Sequence, residues 1–127
     1  MDWKLELVIM PVSDVDRAKA FYTEKVGVHA DHDQRVSEGL RCVQLTPPGS
    51  ACSIAVAEGI TDAAPGTVRG TVRGMQMVVS DISVAHTELK SRGVDVREVE
   101  VLAWGSFVYF ADPDGNRWSV PQLPARG

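Results

Sequence analysis

The sequence predicts an α+β fold made of two tandem βαβββ modules, and three observations predict it. The chain repeats itself: Val12-Ser13-Asp14, Ala18 and Gly27-Val28 recur as Val79-Ser80-Asp81, Ala85 and Gly93-Val94, at an offset of 67 that slips to 66 by the glycine. Each copy reads in the same order, as one strand, one capped helix and three short strands. At 127 residues the chain has the length of one domain, whereas a copy of about sixty residues is marginal as a core of its own. The modules 1–58 and 72–127, joined by a connector at 59–71, are therefore expected to fold as a single domain.

Residues 4–12 predict the first strand, with Leu5, Leu7, Ile9 and Pro11 on one side and Val8, Met10 and Val12 on the other. Apolar residues on both sides mean a strand covered on both faces. Ser13 then reads as an N-cap with Asp16 three residues on, and Val15, Ala18 and Tyr22 recur at helical spacing with Phe21 beside them. Lys25 and Gly27 end a helix of about 13 residues. Strands follow at 28–36, 40–46 and 52–57, divided by Ser37-Glu38-Gly39 and Pro47-Pro48-Gly49-Ser50. The connector has Gly59, Pro65, Gly66 and Gly70 and no sustained apolar period.

The second module reads as a strand at 74–80, then a helix capped by Ser80, with Ile82, Ala85 and Leu89 inward and Gly93 at its end. Strands near 94–101, 105–111 and 117–122 complete it. Asp112-Pro113-Asp114-Gly115-Asn116 turns the chain into the last strand, since proline presets φ and glycine accepts the positive φ of a tight reversal.

A formal charge of −4, from 17 acidic and 13 basic residues with no basic run, lacks the footprint of a nucleic-acid partner. Asp2, Lys4 and Glu6 interrupt the apolar N-terminus, and no stretch reaches transmembrane length. The expectation is a cytoplasmic protein with no membrane partner. Cys42 and Cys52 flank the turn at Thr46-Pro47-Pro48-Gly49 and read as two buried thiols.

The paired βαβββ units, the Val-Ser-Asp lead-in to each helix, Ala18-Phe21-Tyr22, and Phe110-Ala111-Asp112-Pro113-Asp114-Gly115-Asn116 closely resemble the vicinal oxygen chelate superfamily. That superfamily takes in glyoxalase I, the bleomycin- and fosfomycin-resistance proteins and the extradiol dioxygenases. The resemblance implies a half-open mixed-sheet cup, each sheet with its helix outside, and a homodimer. In enzymatic members it also implies one divalent metal that polarises vicinal substrate oxygens.

Carried over to this chain, the first-strand ligand falls at Leu7 and, in the second module, at Gly74 or Gln76; the last-strand ligand falls at Ser53 and Ser119. A catalytic metal wants at least three His, Cys or carboxylate ligands, so no metal cofactor is expected, although a divalent ion at other residues stays open. His29-Ala30-Asp31-His32-Asp33 is the one cluster of ligand types, and plain alternation puts His29, Asp31 and Asp33 on one strand face. It reads as a solvated face, with a ligand contact as the alternative. His86 reads as a packed helix histidine beside Ile82 and Leu89.

The expected ligand pocket comprises Leu7, Ile9, Ser53, Gln76, Trp104, Phe107, Tyr109 and Ser119. Gly74 leaves room, and Tyr109 supplies an aromatic wall with a polar handle. Gln76 binds either ligand or neighbouring backbone, and Trp104 is either a rim residue or partial core. A mostly apolar, aromatic lining with a few convergent polar groups suits a planar or hydrophobic small molecule. The favoured function is a metal-free binding protein of the drug-resistance kind. A glyoxalase-like lyase or isomerase, or a dioxygenase-related enzyme, using Gln76 with Glu6, Glu58 or His29, is the alternative. A non-catalytic interaction module is another, because fold does not imply function.

Overall fold

The computed structural model describes residues 1–37, 40–58 and 72–123, so the connector 59–71 lies outside the described residues. The first module runs β1 (Leu7–Pro11), α1 (Val15–Ala20), a π-helical turn (Phe21–Val26), β2 (His29–Ser37), β3 (Leu40–Thr46) and β4 (Ser53–Glu58). The second runs β5 (Met75–Gln76), α2 (Ile82–Ser91), β6 (Glu100–Leu102), β7 (Gly105–Ala111) and β8 (Arg117–Gln122). Each module makes a four-stranded mixed sheet of the same topology, β1-β4-β3-β2 and β5-β8-β7-β6. In both, the first strand pairs parallel with the last and the other pairs are antiparallel. The sequence repeat is thus a structural repeat.

Both helices are present, but their caps lie one residue further on than expected. Asp14, not Ser13, accepts the N–H of Arg17, and Asp81, not Ser80, accepts those of Ser83 and Val84. Ser13 is occupied elsewhere: its N–H and hydroxyl both donate to Asp114 Oδ1, at 3.1 and 2.6 Å, which ties the start of α1 to the turn before β8. A carboxylate one residue on has the same reach to the first free N–H groups. The first helix widens at its end, where Gly27 N–H reaches back five residues to the Tyr22 carbonyl at 2.9 Å. Thr23 Oγ1 donates to the Lys19 carbonyl at 2.8 Å beside that turn. The wider turn buries the consecutive Phe21 and Tyr22 together, and Gly27, at φ +93°, stops it in the left-handed region.

Three strands are shorter than expected. β5 is a two-residue ladder, flanked by single backbone bonds to the β8 segment: Arg117 N–H to the Val72 carbonyl at 2.9 Å before it, and Met77 N–H to the Ser119 carbonyl at 3.1 Å and Val79 N–H to the Pro121 carbonyl at 3.0 Å after it. β6 begins only at Glu100, and Val94, Val96 and Val99 before it pack on the core. β1 covers Leu7–Pro11 of the expected 4–12.

One core serves both modules. Met10, Val43, Leu45 and Val56 of the first sheet, Val108, Phe110, Trp118 and Val120 of the second, and Val15, Tyr22, Ile82 and Leu89 of the helices form a single buried cluster. Across the seam the Phe21 and Phe110 rings lie 5.9 Å apart, and Tyr22 meets Trp118 edge to face at 6.1 Å. Trp118 Nε1 donates to the Tyr22 hydroxyl at 2.9 Å, which donates to Asp112 Oδ2 at 2.8 Å. Burial, with the Asp112 carboxylate beside it, pushes the Tyr22 phenol far above its ordinary pKa. Asp112 also accepts from Asn116 Nδ2 and from the N–H groups of Asp114 and Asn116, at 2.9 to 3.0 Å. The Asp-Pro-Asp-Gly-Asn turn therefore anchors one module to the other, and each sheet keeps one face open. Among the described residues no helix is long and apolar enough to cross a membrane.

Candidate functional site

Strand register decides which side chains share an open face. Gln76 pairs with Ser119, and Ser119 with Tyr109, so an amide, a hydroxyl and a phenol stand in one row across strands about 4.8 Å apart. One step along the strands, Phe107 pairs with Pro121, and its ring stacks on Tyr109 with centroids 6.2 Å apart and planes 8° from parallel. Phe107 is buried, whereas Tyr109 stays 47% exposed. Among the described residues, the Gln76 amide, the Ser119 hydroxyl and the Tyr109 phenol have no hydrogen-bond partner. This face offers an aromatic surface with three uncommitted polar groups along its edge.

Tyr109 and Ser119 line a hollow of about 760 Å³. Its rim is more charged than the sequence reading anticipated: Arg97, Arg117, Glu98 and Glu100 stand around it. Gly74 also lines it, at φ +78°, and a Cβ there would meet nothing within 4 Å. The room expected at this position is present.

The first sheet carries the rest of the expected pocket, arranged differently. Leu7 pairs with Ser53, and Ile9 with Ala55, which pairs in turn with Gln44. Ile9 is 51% exposed and Ser53 buried. Gln44 Nε2 donates to Ser53 Oγ at 3.3 Å, Ser53 Oγ and Thr46 Oγ1 share a bond of 2.7 Å, and Thr46 Oγ1 donates to Asp31 Oδ2. Here the polar groups are bound to one another. Cys42 lies on the same face, since it pairs with Ala57. The two thiols are free and half-buried rather than buried, and burial pushes that of Cys42 up.

The expected alternation in 29–33 fails because a bulge falls between Ala30 and His32. The extra residue shifts the parity, so that His29 and His32 fall on the face shared by Thr46 and Gln44, and Asp33 on the helix side. Asp33 accepts from Arg41 Nε and Nη2 at 3.0 and 2.7 Å and from Lys19 Nζ at 3.0 Å. The Arg41 guanidinium, then Lys19, hold its carboxyl well below the usual carboxylate range. His29 Nε2 lies 3.7 Å from Asp31 Oδ1. His86 Nε2 lies 3.0 Å from the Arg97 carbonyl and is half-buried.

The structure thus gathers the expected residues into two groups, Gln76, Phe107, Tyr109 and Ser119 on one sheet and Leu7, Ile9 and Ser53 on the other. Ser53 and Gln76 meet across a hollow of about 320 Å³ between the β3–β4 turn and β5. Trp104, 64% exposed, sits in the β6–β7 turn outside these rows. Gln44 and Thr46 were missed, although Cys42, Gln44 and Thr46 alternate with Val43 and Leu45 in the sequence and so marked one polar strand face.

The positions that the metal pattern maps onto hold an alkyl group, two hydroxyls and an amide, in Leu7, Ser53, Ser119 and Gln76. That donor set does not fit a divalent catalytic metal. Among the described residues no three His, Cys, Asp or Glu side chains gather into a metal-ligating group. Of the other candidate ligands, Glu6 is exposed and Glu58 Oε2 accepts from the Val15 N–H at 3.4 Å at the start of α1, on the helix side.

The model of the Glyoxalase/Bleomycin resistance protein/Dioxygenase superfamily matches residues 4–120. The chain is similar to TnmS3, an antibiotic binding protein from Streptomyces sp. CB03234, with 31% identity, 97% of this chain and 98% of that one covered, and a TM-score of 0.85. A glyoxalase/bleomycin resistance protein from the same Streptomyces shares 33% identity over 94% of this chain and all of its own, with a TM-score of 0.80. The Bacillus subtilis (strain 168) protein YetH is 27% identical over 113 residues, 86% of this chain and 89% of YetH.

Proposed function

The chain belongs to the glyoxalase/bleomycin resistance protein/dioxygenase superfamily, and from that membership we propose that it binds a hydrophobic or aromatic small molecule without a metal. The ligand lies on the open sheet faces, and a second copy of the chain completes the cup in a homodimer. The observation that carries this reading is the row of Gln76, Ser119 and Tyr109 beside the Phe107–Tyr109 stack. Its polar groups are free to meet a ligand, and its rings offer a flat apolar surface. The hollow beside it, at about 760 Å³, falls in the range of small-molecule sites. Support also comes from the likeness to TnmS3, an antibiotic binding protein.

The mapped positions lack the ligands for Lewis-acid work, so this function runs on shape, stacking and hydrogen bonding. The test is a titration with planar aromatic compounds such as 2-naphthol, with and without a chelator. Binding tighter than about 1 mM, roughly 4 kcal/mol, is expected and is unchanged by the chelator. Tyr109→Ala is expected to weaken it about tenfold, the order of one aromatic contact. Conversion of methylglyoxal and a thiol that needs added divalent metal and is abolished by Gln76→Ala would overturn the reading in favour of a lyase.

A further inference from the structure

The bonded chain on the first sheet has a direction, and that direction selects ligands. The Asp31 carboxylate accepts hydrogen bonds and donates none. The single Thr46 hydroxyl proton therefore goes to Asp31 Oδ2. Thr46 Oγ1 is then left as acceptor towards Ser53, so the Ser53 proton fills their bond of 2.7 Å. Ser53 Oγ, its own proton committed, can only accept from the neighbouring side chain, and Gln44 meets it with Nε2 at 3.3 Å. One negative charge thus sets the orientation of an amide three side chains away, through bonds that polarise one another in the same sense. Among the described residues no donor reaches Gln44 Oε1.

We propose that Gln44 is a specificity-determining residue whose outward Oε1 accepts a hydrogen bond from an O–H or N–H at the edge of an aromatic ligand, with the Asp31–Thr46–Ser53 chain fixing its orientation. Ile9 and Ala55 on one side and His32 on the other share its row, and Ile9 and Ala55 give the ring an apolar seat. His29 Nε2, 3.7 Å from Asp31 Oδ1, faces the carboxylate at the far end. The inference rests on the aromatic-ligand reading and adds to it a preference for hydrogen-bond donors over isosteric acceptors. A ligand group that only accepts leaves Gln44 Oε1 without a partner and sets two acceptors against each other.

The test compares 2-naphthol, which donates, with 2-methoxynaphthalene, which only accepts, against the wild-type chain and the variants Asp31→Asn, Thr46→Val and Tyr109→Ala. The wild type is expected to favour 2-naphthol about tenfold, the worth of one hydrogen bond. In Asp31→Asn the new amide donates to Thr46 as readily as it accepts, the chain loses its direction, and the ratio falls towards unity. Thr46→Val cuts the chain and is expected to do the same. Tyr109→Ala lowers both affinities and leaves the ratio in place. The ligand-free readout is the nuclear Overhauser contact between the Gln44 side-chain N–H and the Ser53 Hβ protons, expected in the wild type and weakened in Asp31→Asn. Equal affinity of both compounds for the wild type, or a tenfold ratio that survives Asp31→Asn and Thr46→Val, overturns this inference alone. If neither compound binds the wild type, the aromatic-ligand reading falls, and this inference with it.

Discussion

At the scale of single residues, Tyr22 is the most constrained side chain between the modules. Its ring is fully buried, its hydroxyl accepts from Trp118 Nε1 and donates to Asp112, and its ring edge meets Phe21 at 5.2 Å. Tyr22→Phe keeps the ring and removes the hydroxyl. The indole N–H is then left buried without its partner, at a cost of about 1–3 kcal/mol, to be read as a lowered urea midpoint with unchanged m-value. Trp118→Phe in the same background is expected to recover part of the loss, because it removes the stranded donor. The sequence marked Tyr22 as a helix-face apolar residue and Asp112 as a turn residue. That they bond across 90 positions of chain was not legible, since nothing in their local patterns refers to each other.

Single elements show where local signals suffice. Both helix starts were legible to within one residue, because Ser-Asp offers two capping oxygens in succession and only the fold decides which one is needed elsewhere. Asp81→Ala is expected to cost about 1 kcal/mol and Ser80→Ala much less, a contrast that thermal melts resolve and that the reverse order would contradict. The β2 bulge was not legible, since it depends on how β2 and β3 register, and it moves Asp33 to the helix side. There Asp33 joins Lys19 of α1 and Arg41 of β3. Its folded pKa lies well below the unfolded value of about 3.9, so its contribution is full above the unfolded value and is lost only as pH falls from there through the lower folded one. The group is largely solvated, and salt weakens the effect. Asp33→Asn is therefore expected to lower the urea midpoint at pH 7, and the gap from the wild type is expected to narrow only below about pH 4 and to be still open at pH 3.

At the scale of the whole molecule, the shared core makes the two modules one cooperative unit. Phe21 and Tyr22 of the first module pack on Phe110 and Trp118 of the second, so neither sheet can lose its packing alone. Unfolding followed by Trp fluorescence and by far-ultraviolet circular dichroism is expected to give one coincident transition. Two separated transitions would mean that the modules fold independently.

The sequence by itself determined the repeat, the order of elements and the face of each strand that carries Leu7, Ile9, Gln76, Tyr109 and Ser119, because side-chain periodicity and turn chemistry are local properties of the backbone. It also determined that the positions the metal pattern maps onto hold alkyl, hydroxyl and amide groups. Only the tertiary structure decided that the expected pocket residues divide between two sheets, with Ser53 of one and Gln76 of the other lining a common hollow. It alone decided that Ser13 bonds to Asp114 rather than capping its own helix, and that Gln44, Ser53, Thr46 and Asp31 form one chain. Each of these depends on strand register or on contacts between modules, and those follow from the packing of one shared core rather than from any short stretch of sequence.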